Sequence, residues 1–505
     1  MGRRETALPA SPRRRNMEAL STFIGTLLQA GSGNLAAYLA AHVLLCLLPA
    51  FFIAGAMVAL IPQEAVTRFL GRNAPRAVSY PAAAAAGSLL AVCSCTIVPL
   101  FAGIHRKGAG LGPAITFLFF APAANILALV YTGGVIGVDL AGARFLLSLV
   151  FGIGIGMIMA LLFRKEEGVR EEAADAMFAG AGQARISRAA LAFLFLWVAL
   201  LLAGTLKLSF LTGAAFEITV PLGDMRPWQA ALDGWVPCDA SRGEEGVSVQ
   251  GALLIVLLGA IAACAWKGLE NVLDGFSAWT RASLVLIALT LLLASLAVRT
   301  ADRGLVVGFT GRFFAIALCL AVIATLAKRA LSREDLQGWL WESWRFVKQI
   351  FPLLVIGVFV VGMLRALIRP EWIQYLAGTN SLTGNLAGVV FGVFMYFPTL
   401  VEVPIAKMFL DLGMHRGPLL AYLMADPELS LQSILIIAAV IGRRKTAAYV
   451  GLVALFSTAA GLAYGAWVDG SSPLLIALAM AAFIAVLALL VTRAGASHHG
   501  TPQGA

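Results

Sequence analysis

Charge is what this sequence has least of. Only 13% of its 505 residues are Asp, Glu, Lys or Arg, where a soluble domain runs nearer a quarter. That composition excludes a soluble globular chain. Alternating segments of about ten residues are also missing, which excludes a transmembrane β-barrel. Cysteines number six, at positions 46, 93, 95, 238, 264 and 319. Most lie in apolar segments, which argues against a secreted disulfide framework. No Walker A, H-E-x-x-H, G-x-S-x-G or C-x-x-C motif occurs. ATP-driven pumping by this chain alone is therefore unsupported, and neither enzyme chemistry nor a cofactor is expected. No Lys/Arg tract is interleaved with aromatics either. The net charge of +10 reads as loops beside anionic lipid, not as nucleic-acid binding.

What is abundant is apolar: 60% of the residues, with several runs longer than the roughly 18–20 residues that cross a bilayer as a helix. The expected fold is an all-α polytopic membrane protein with roughly 10–13 transmembrane helices. Residues 1–36 read as a cytoplasmic tail carrying Arg3, Arg4 and Arg13 to Arg15, with no cleavable signal needed. Two membrane units follow, at 37–163 and 347–467. Between them, 164–346 holds extra spans and a polar segment at 212–250, whose poverty in Lys and Arg favours the outer side. A last span and a tail fill 468–505. The positive-inside rule puts the N-terminus, His105-Arg106-Lys107 and the 164–188 loop together in the cytoplasm.

The two units are organised around one stretch, Ala91 to Gly137. Moved on by about 305 residues, its punctuation returns as an internal two-fold repeat. Pro99, Gly108, Gly112, Pro113, Pro122 and Gly137 fall on Pro404, Gly413, Gly417, Pro418, Pro427 and Gly442. Proline removes the helical hydrogen bond to the carbonyl four residues back. Pro99, Pro122, Pro404 and Pro427 are therefore expected as helix breaks, freeing the carbonyls of Cys95, Leu118, Leu400 and Leu423. Such carbonyls are tolerated in a membrane only where protein or a water-filled cavity satisfies them. Paired interrupted segments point to a transporter's binding site. The loop charges favour, weakly, a parallel arrangement of the two copies.

Cys93-Ser94-Cys95 carries the sharpest chemistry. Thiolates suit soft ions such as Cu(I), Zn(II) and trivalent arsenic, so Cys93 and Cys95 are candidate substrate contacts and transient metal ligands. Residues two apart point about 200° from each other on a regular helix, so joint ligation needs unwinding there. The competing reading is packing, since free Cys is a common small core residue. The second copy has acids instead: Glu402 deep in an apolar run, and Asp426 and Glu428 around Pro427. Carboxylates inside spans are costly and mark proton or ion paths, so these three are candidate proton-coupling groups. The alternative for Asp426 and Glu428 is a helix end near the interface. Asn125 and Ser430, one turn past the breaks, either bind substrate or cap a half-helix; Ser94 and Thr399 join them as candidate polar contacts.

Cys93-Ser-Cys-Thr-Ile-Val-Pro99, Gly112-Pro113, Ala121-Pro122-Ala-Ala-Asn125 and the Pro404/Gly417-Pro418/Pro427 copy resemble the bacterial predicted-permease family. That family includes organoarsenical efflux permeases and proposed copper/zinc effluxers. The resemblance implies a multi-pass inner-membrane permease exporting trivalent methylated or aromatic arsenicals, with the bilayer and a small molecule or ion as its partners. The long middle region departs from compact members. Two other readings stand beside it: a membrane thiol oxidoreductase using Cys93, Cys95 and Cys238, and a non-transporting scaffold that leaves the aligned prolines and buried acids unexplained.

Overall fold

The computed structural model describes residues 12–41, 43–62, 70–71, 74–90, 94–164, 166–168, 187–206, 208–221, 223–236, 246–301, 304–367, 370–394 and 399–497. Side chains are not described for 89–95 or 399–401. The chain is helical almost throughout. Among the described residues, eight helices are long and apolar enough to cross a membrane, and a ninth span forms if a pair bent by 47° is counted together. Three shorter apolar helices accompany them.

The first unit opens with α1 (Pro12–Ala41), a π-helical turn at Val43–Leu47, and α2 (Leu48–Leu60). It continues with α3 (Arg76–Leu90), α4 (Ser94–Arg106), α5 (Leu111–Ala123), α6 (Ile126–Val135) and α7 (Val138–Leu162). The middle region holds α8 (Arg188–Thr205), α9 (Arg226–Trp235), α10 (Val249–Gly268), α11 (Ala278–Ala294) and α12 (Gly311–Ala330). The second unit holds α13 (Arg333–Arg365), α14 (Pro370–Ala377), α15 (Leu382–Phe394), α16 (Thr399–Asp411), α17 (Arg416–Leu429), α18 (Leu431–Ile441) and α19 (Arg443–Val468). α20 (Pro473–Ser497) follows. The run α15 to α19 thus has the order of α3 to α7, displaced by about 305 residues. Gly108 and Gly413, at matching turns, both take positive φ, 87° and 93°, where a side chain is strained.

The polar stretches of the middle region are more structured than their composition suggests. β1 (Ala214–Val220), β2 (Ala297–Ala301) and β3 (Gly304–Thr310) form an antiparallel sheet in the order β1-β3-β2, with Phe216 opposite Phe309. Sheet and α9 lie together at one face of the helical layer. Residues 304–310 include Val306, Val307 and Thr310, residue types that favour strands, but the run sits between two spans and is short enough to be taken for a loop.

Ion pairs fix the helix directions. Lys445, at the start of α19, pairs with Glu167 just past the end of α7. Asp139, at the start of α7, pairs with Arg416 at 2.8 Å and accepts from Tyr464 near the end of α19 at 2.8 Å. α7 and α19 are therefore antiparallel, and so are the units they belong to. This corrects the parallel arrangement. The reason is parity. α3 and α4 have both outer ends at the face that carries Arg76, Arg106 and Arg164, and at about 20 Å each they are too short to cross. α15 and α16 have both outer ends at the opposite face, beside Leu462 and Asp469. Each such pair reads in the sequence as one apolar span and makes no crossing.

A second correction concerns the N-terminal helix. α1 meets the end of α13, with Asn34 donating to the Val358 carbonyl at 2.8 Å, and Gln29 reaches the Trp235 carbonyl of α9. Arg106 meets the first half of α13, at Gln349 and Glu342. α1 and the His105-Arg106-Lys107 loop therefore lie at opposite faces, because Val43–Leu60 crosses between them.

Candidate functional site

The prolines divide into two kinds. α4 and α16 run through Pro99 and Pro404 without ending, so these two do not act as the expected breaks. The chain does break just after Pro122 and Pro427. α5 stops at Ala123, and Asn125 opens α6 by accepting from the Ala128 amide at 2.8 Å. α17 stops at Leu429, and Ser430 opens α18 by accepting from the Ser433 amide at 3.3 Å. Asn125 and Ser430 are thus caps in this structure, each satisfying an amide that a helix start leaves unpaired. Both breaks are buried.

Around the breaks the two units interlock. α6 packs on α16, α18 on α4, and α5 on α17. At the centre stands a buried ion pair that the sequence did not announce. Arg144 of α7 and Glu402 of α16 meet at 3.0 Å with both side chains fully buried. The Arg144 Nε donates to the Ala123 carbonyl, the last of α5, at 2.8 Å. Another guanidinium nitrogen donates to the Thr132 hydroxyl of α6 at 3.4 Å. One planar fork therefore holds the end of α5, the body of α6 and the carboxylate of α16 together, a geometry that Lys cannot reproduce.

The other unit has its own version of this grip. Tyr449 of α19 stands where Arg144 stands on α7, and donates to Glu428, near the end of α17, at 2.6 Å. Glu428 is buried, and its second oxygen has no hydrogen-bond partner. Asp426 is fully buried where α17 passes Gly392 of α15. Gln432, in the first turn of α18, is 1% exposed, and neither end of its amide finds a partner. An unpaired buried amide is expensive, so a polar ligand at this point would be stabilised by it.

Of the residues marked in the sequence, Glu402, Glu428, Asn125 and Ser430 come to this central zone. Cys93 lies outside the described residues, as does Cys238. Ser94, Cys95 and Thr399 are placed as backbone only. No cluster of three potential metal ligands occurs among the described residues. Arg144 and Gln432 were missed. A lone Arg inside Leu-Ala-Gly-Ala-Arg-Phe-Leu-Leu is a signal by itself, but so near the start of a span it reads as a snorkelling residue.

Comparison with known proteins identifies the family. Residues 30–466 match a family described as predicted permease. A UPF0718 protein of the archaeon Methanocaldococcus jannaschii is 32% identical over 452 residues, covering 89% of this chain and 98% of the relative. The UPF0718 protein YraQ of Escherichia coli K12 is 31% identical over 99 residues, 20% of this chain and 28% of that protein. No solved structure gives a significant match. With its apolar spans, its two interlocked units and a family match that covers most of its length, the chain belongs to the predicted permease family and is a multi-pass membrane protein.

Proposed function

We propose that this permease is a secondary transporter of the cell's inner membrane that exports a soft metal(loid) or thiol-reactive compound, such as a trivalent organoarsenical, copper or zinc, in exchange for protons. Its two units, 37–163 and 347–467, are read as inverted copies with the substrate site between them. The observation that carries this is the Arg144–Glu402 pair, buried between two helices broken at midspan. Charge is retained in such a place at a cost of several kcal/mol, so it is there for work that apolar packing cannot do. Broken helices offer free amides and carbonyls to a substrate. Glu402, Glu428 and Asp426 supply carboxylates for the coupling proton. Cys93 and Cys95, with Ser94 and Thr399, supply soft and polar contacts. The thiol-oxidoreductase reading loses ground to the family match.

The test is transport in everted vesicles under an imposed pH gradient, with trivalent phenyl and methyl arsenicals, Cu(I) and Zn(II) as substrates. Glu402→Gln leaves Arg144 without its counter-charge, so it is expected to lower stability as well; in the folded protein recovered in vesicles it should abolish pH-driven accumulation. Cys93→Ser with Cys95→Ser is expected to weaken substrate affinity by at least about tenfold. Transport of every substrate unchanged by either variant overturns these roles.

A further inference from the structure

One cavity of the molecule lies away from the central zone. It opens at the face that carries Arg76, Arg106 and Arg164, between α3, α5 and α7, and encloses about 100 Å³. A single water needs ~10–15 Å³, so several waters or one tetrahedral oxyanion fit. Its lining is Arg76, Ser79 and Tyr80 from α3, the start of α5 at Gly110 to Pro113, and Met157 to Arg164 at the end of α7.

Four features of this lining agree. Arg76 and Arg164 line the mouth, and among the described residues neither has an ion pair or hydrogen bond. Ser79 and Tyr80 are 2% and 6% exposed, line the cavity, and make no side-chain hydrogen bond among the described residues. α5, thirteen residues long, starts here with no side chain capping it, so its first amides and the positive end of its dipole face the cavity. Met157 and Leu161, exposed beside the cavity, continue its wall along the apolar side of α7. Glu167 also lines it, but its charge is matched by Lys445. Two hydroxyls that open onto the cavity from nearly buried residues, two guanidiniums without an ion pair among the described residues and an uncapped helix start ask for an acceptor with several oxygens and negative charge.

We propose that this cavity binds a phosphate oxyanion at the membrane surface, the headgroup phosphate of an anionic phospholipid whose acyl chains run down over Met157 and Leu161. Basic pockets between membrane helices bind such headgroups by the same chemistry. The apolar strip below the arginines favours the lipid over free phosphate. The site is independent of the transport path and does not rest on the identity of the exported substrate.

Native mass spectrometry of the full chain in detergent, titrated with phosphatidylglycerol, phosphatidylcholine or inorganic phosphate, tests this. Phosphatidylglycerol should be retained in preference to phosphatidylcholine. Arg76→Ala with Arg164→Ala should reduce that retention roughly 30-fold, at about fivefold per basic residue. Should the double variant fail to fold, Tyr80→Phe, which removes one hydroxyl, should still weaken retention severalfold. Displacement of the lipid by millimolar inorganic phosphate, or a phosphate adduct without lipid, assigns the site to the free anion and retains the oxyanion chemistry. Equal retention of both lipids with no phosphate adduct, or retention unaffected by all three substitutions, overturns the proposal.

Discussion

Arg144→Met is expected to be among the most destabilising single changes in the protein. The side chain is fully buried and binds three elements: the Ala123 carbonyl, the Thr132 hydroxyl and the Glu402 carboxylate. Methionine fills the volume but leaves Glu402 buried without its counter-charge. Removing one partner of a buried ion pair costs about 3–5 kcal/mol. Glu402 will take up a proton to limit that cost, so the variant should be less unstable at low pH than at high pH. Pairing the change with Glu402→Leu removes the orphaned charge as well, and replacing both members of such a pair by apolar residues is often neutral. The double variant should therefore recover most of the stability and none of the pH-driven transport. Thermal unfolding of the four proteins in detergent, read beside vesicle transport, forms a complete cycle. A single variant as stable as the parent would show that the pair does not hold the centre. A double variant that transports would remove Glu402 from the coupling.

That pair also shows how far the sequence could be read. Glu402 was legible because an acid deep in an apolar run has few innocent explanations. Its partner stands 258 residues away, and no local pattern links the two. The breaks after Pro122 and Pro427 were legible from their matching positions, whereas Pro99 and Pro404 sit within helices that simply continue. Composition settled the membrane class. Orientation was beyond it, because a charge count assumes that every apolar stretch crosses, and α3–α4 and α15–α16 are too short to do so. Each of these pairs shifts the parity of everything after it. The sheet was hidden for another reason: its pairing joins residues 214–220 to 304–310 across two apolar helices, and register over such a distance is set by tertiary contact.

The glycines of α7 and α19 lead to the second large effect, and their sign can be predicted position by position. Gly156 lies against α5 so closely that a Cβ there would stand 2.6 Å from the Gly112 carbonyl, and it would also strike the Thr116 hydroxyl. Gly461 repeats this against α17, with a Cβ 2.7 Å from the Gly417 carbonyl and in collision with Asn385. Small residues let membrane helices approach to backbone contact, and here each long helix is pressed against the half-helix that leads into a break. Backbone carbonyls cannot rotate aside as a side chain does. Gly156→Ala and Gly461→Ala should each cost at least the ~1–3 kcal/mol of an overpacked core. They should also displace the breaks at Asn125 and Ser430, so transport should fall with stability. The same two helices carry their own controls. Gly142 on α7 and Gly451 on α19 have nothing within 4 Å of a Cβ. Alanine at either should raise stability by about 0.4–1 kcal/mol, by reducing the freedom of the unfolded chain. Melting temperatures in one detergent should therefore move down for the pair at 156 and 461 and up for the pair at 142 and 451. If all four moved down alike, helix flexibility would be the property selected at these glycines. The opposite signs are what close packing against a broken helix requires.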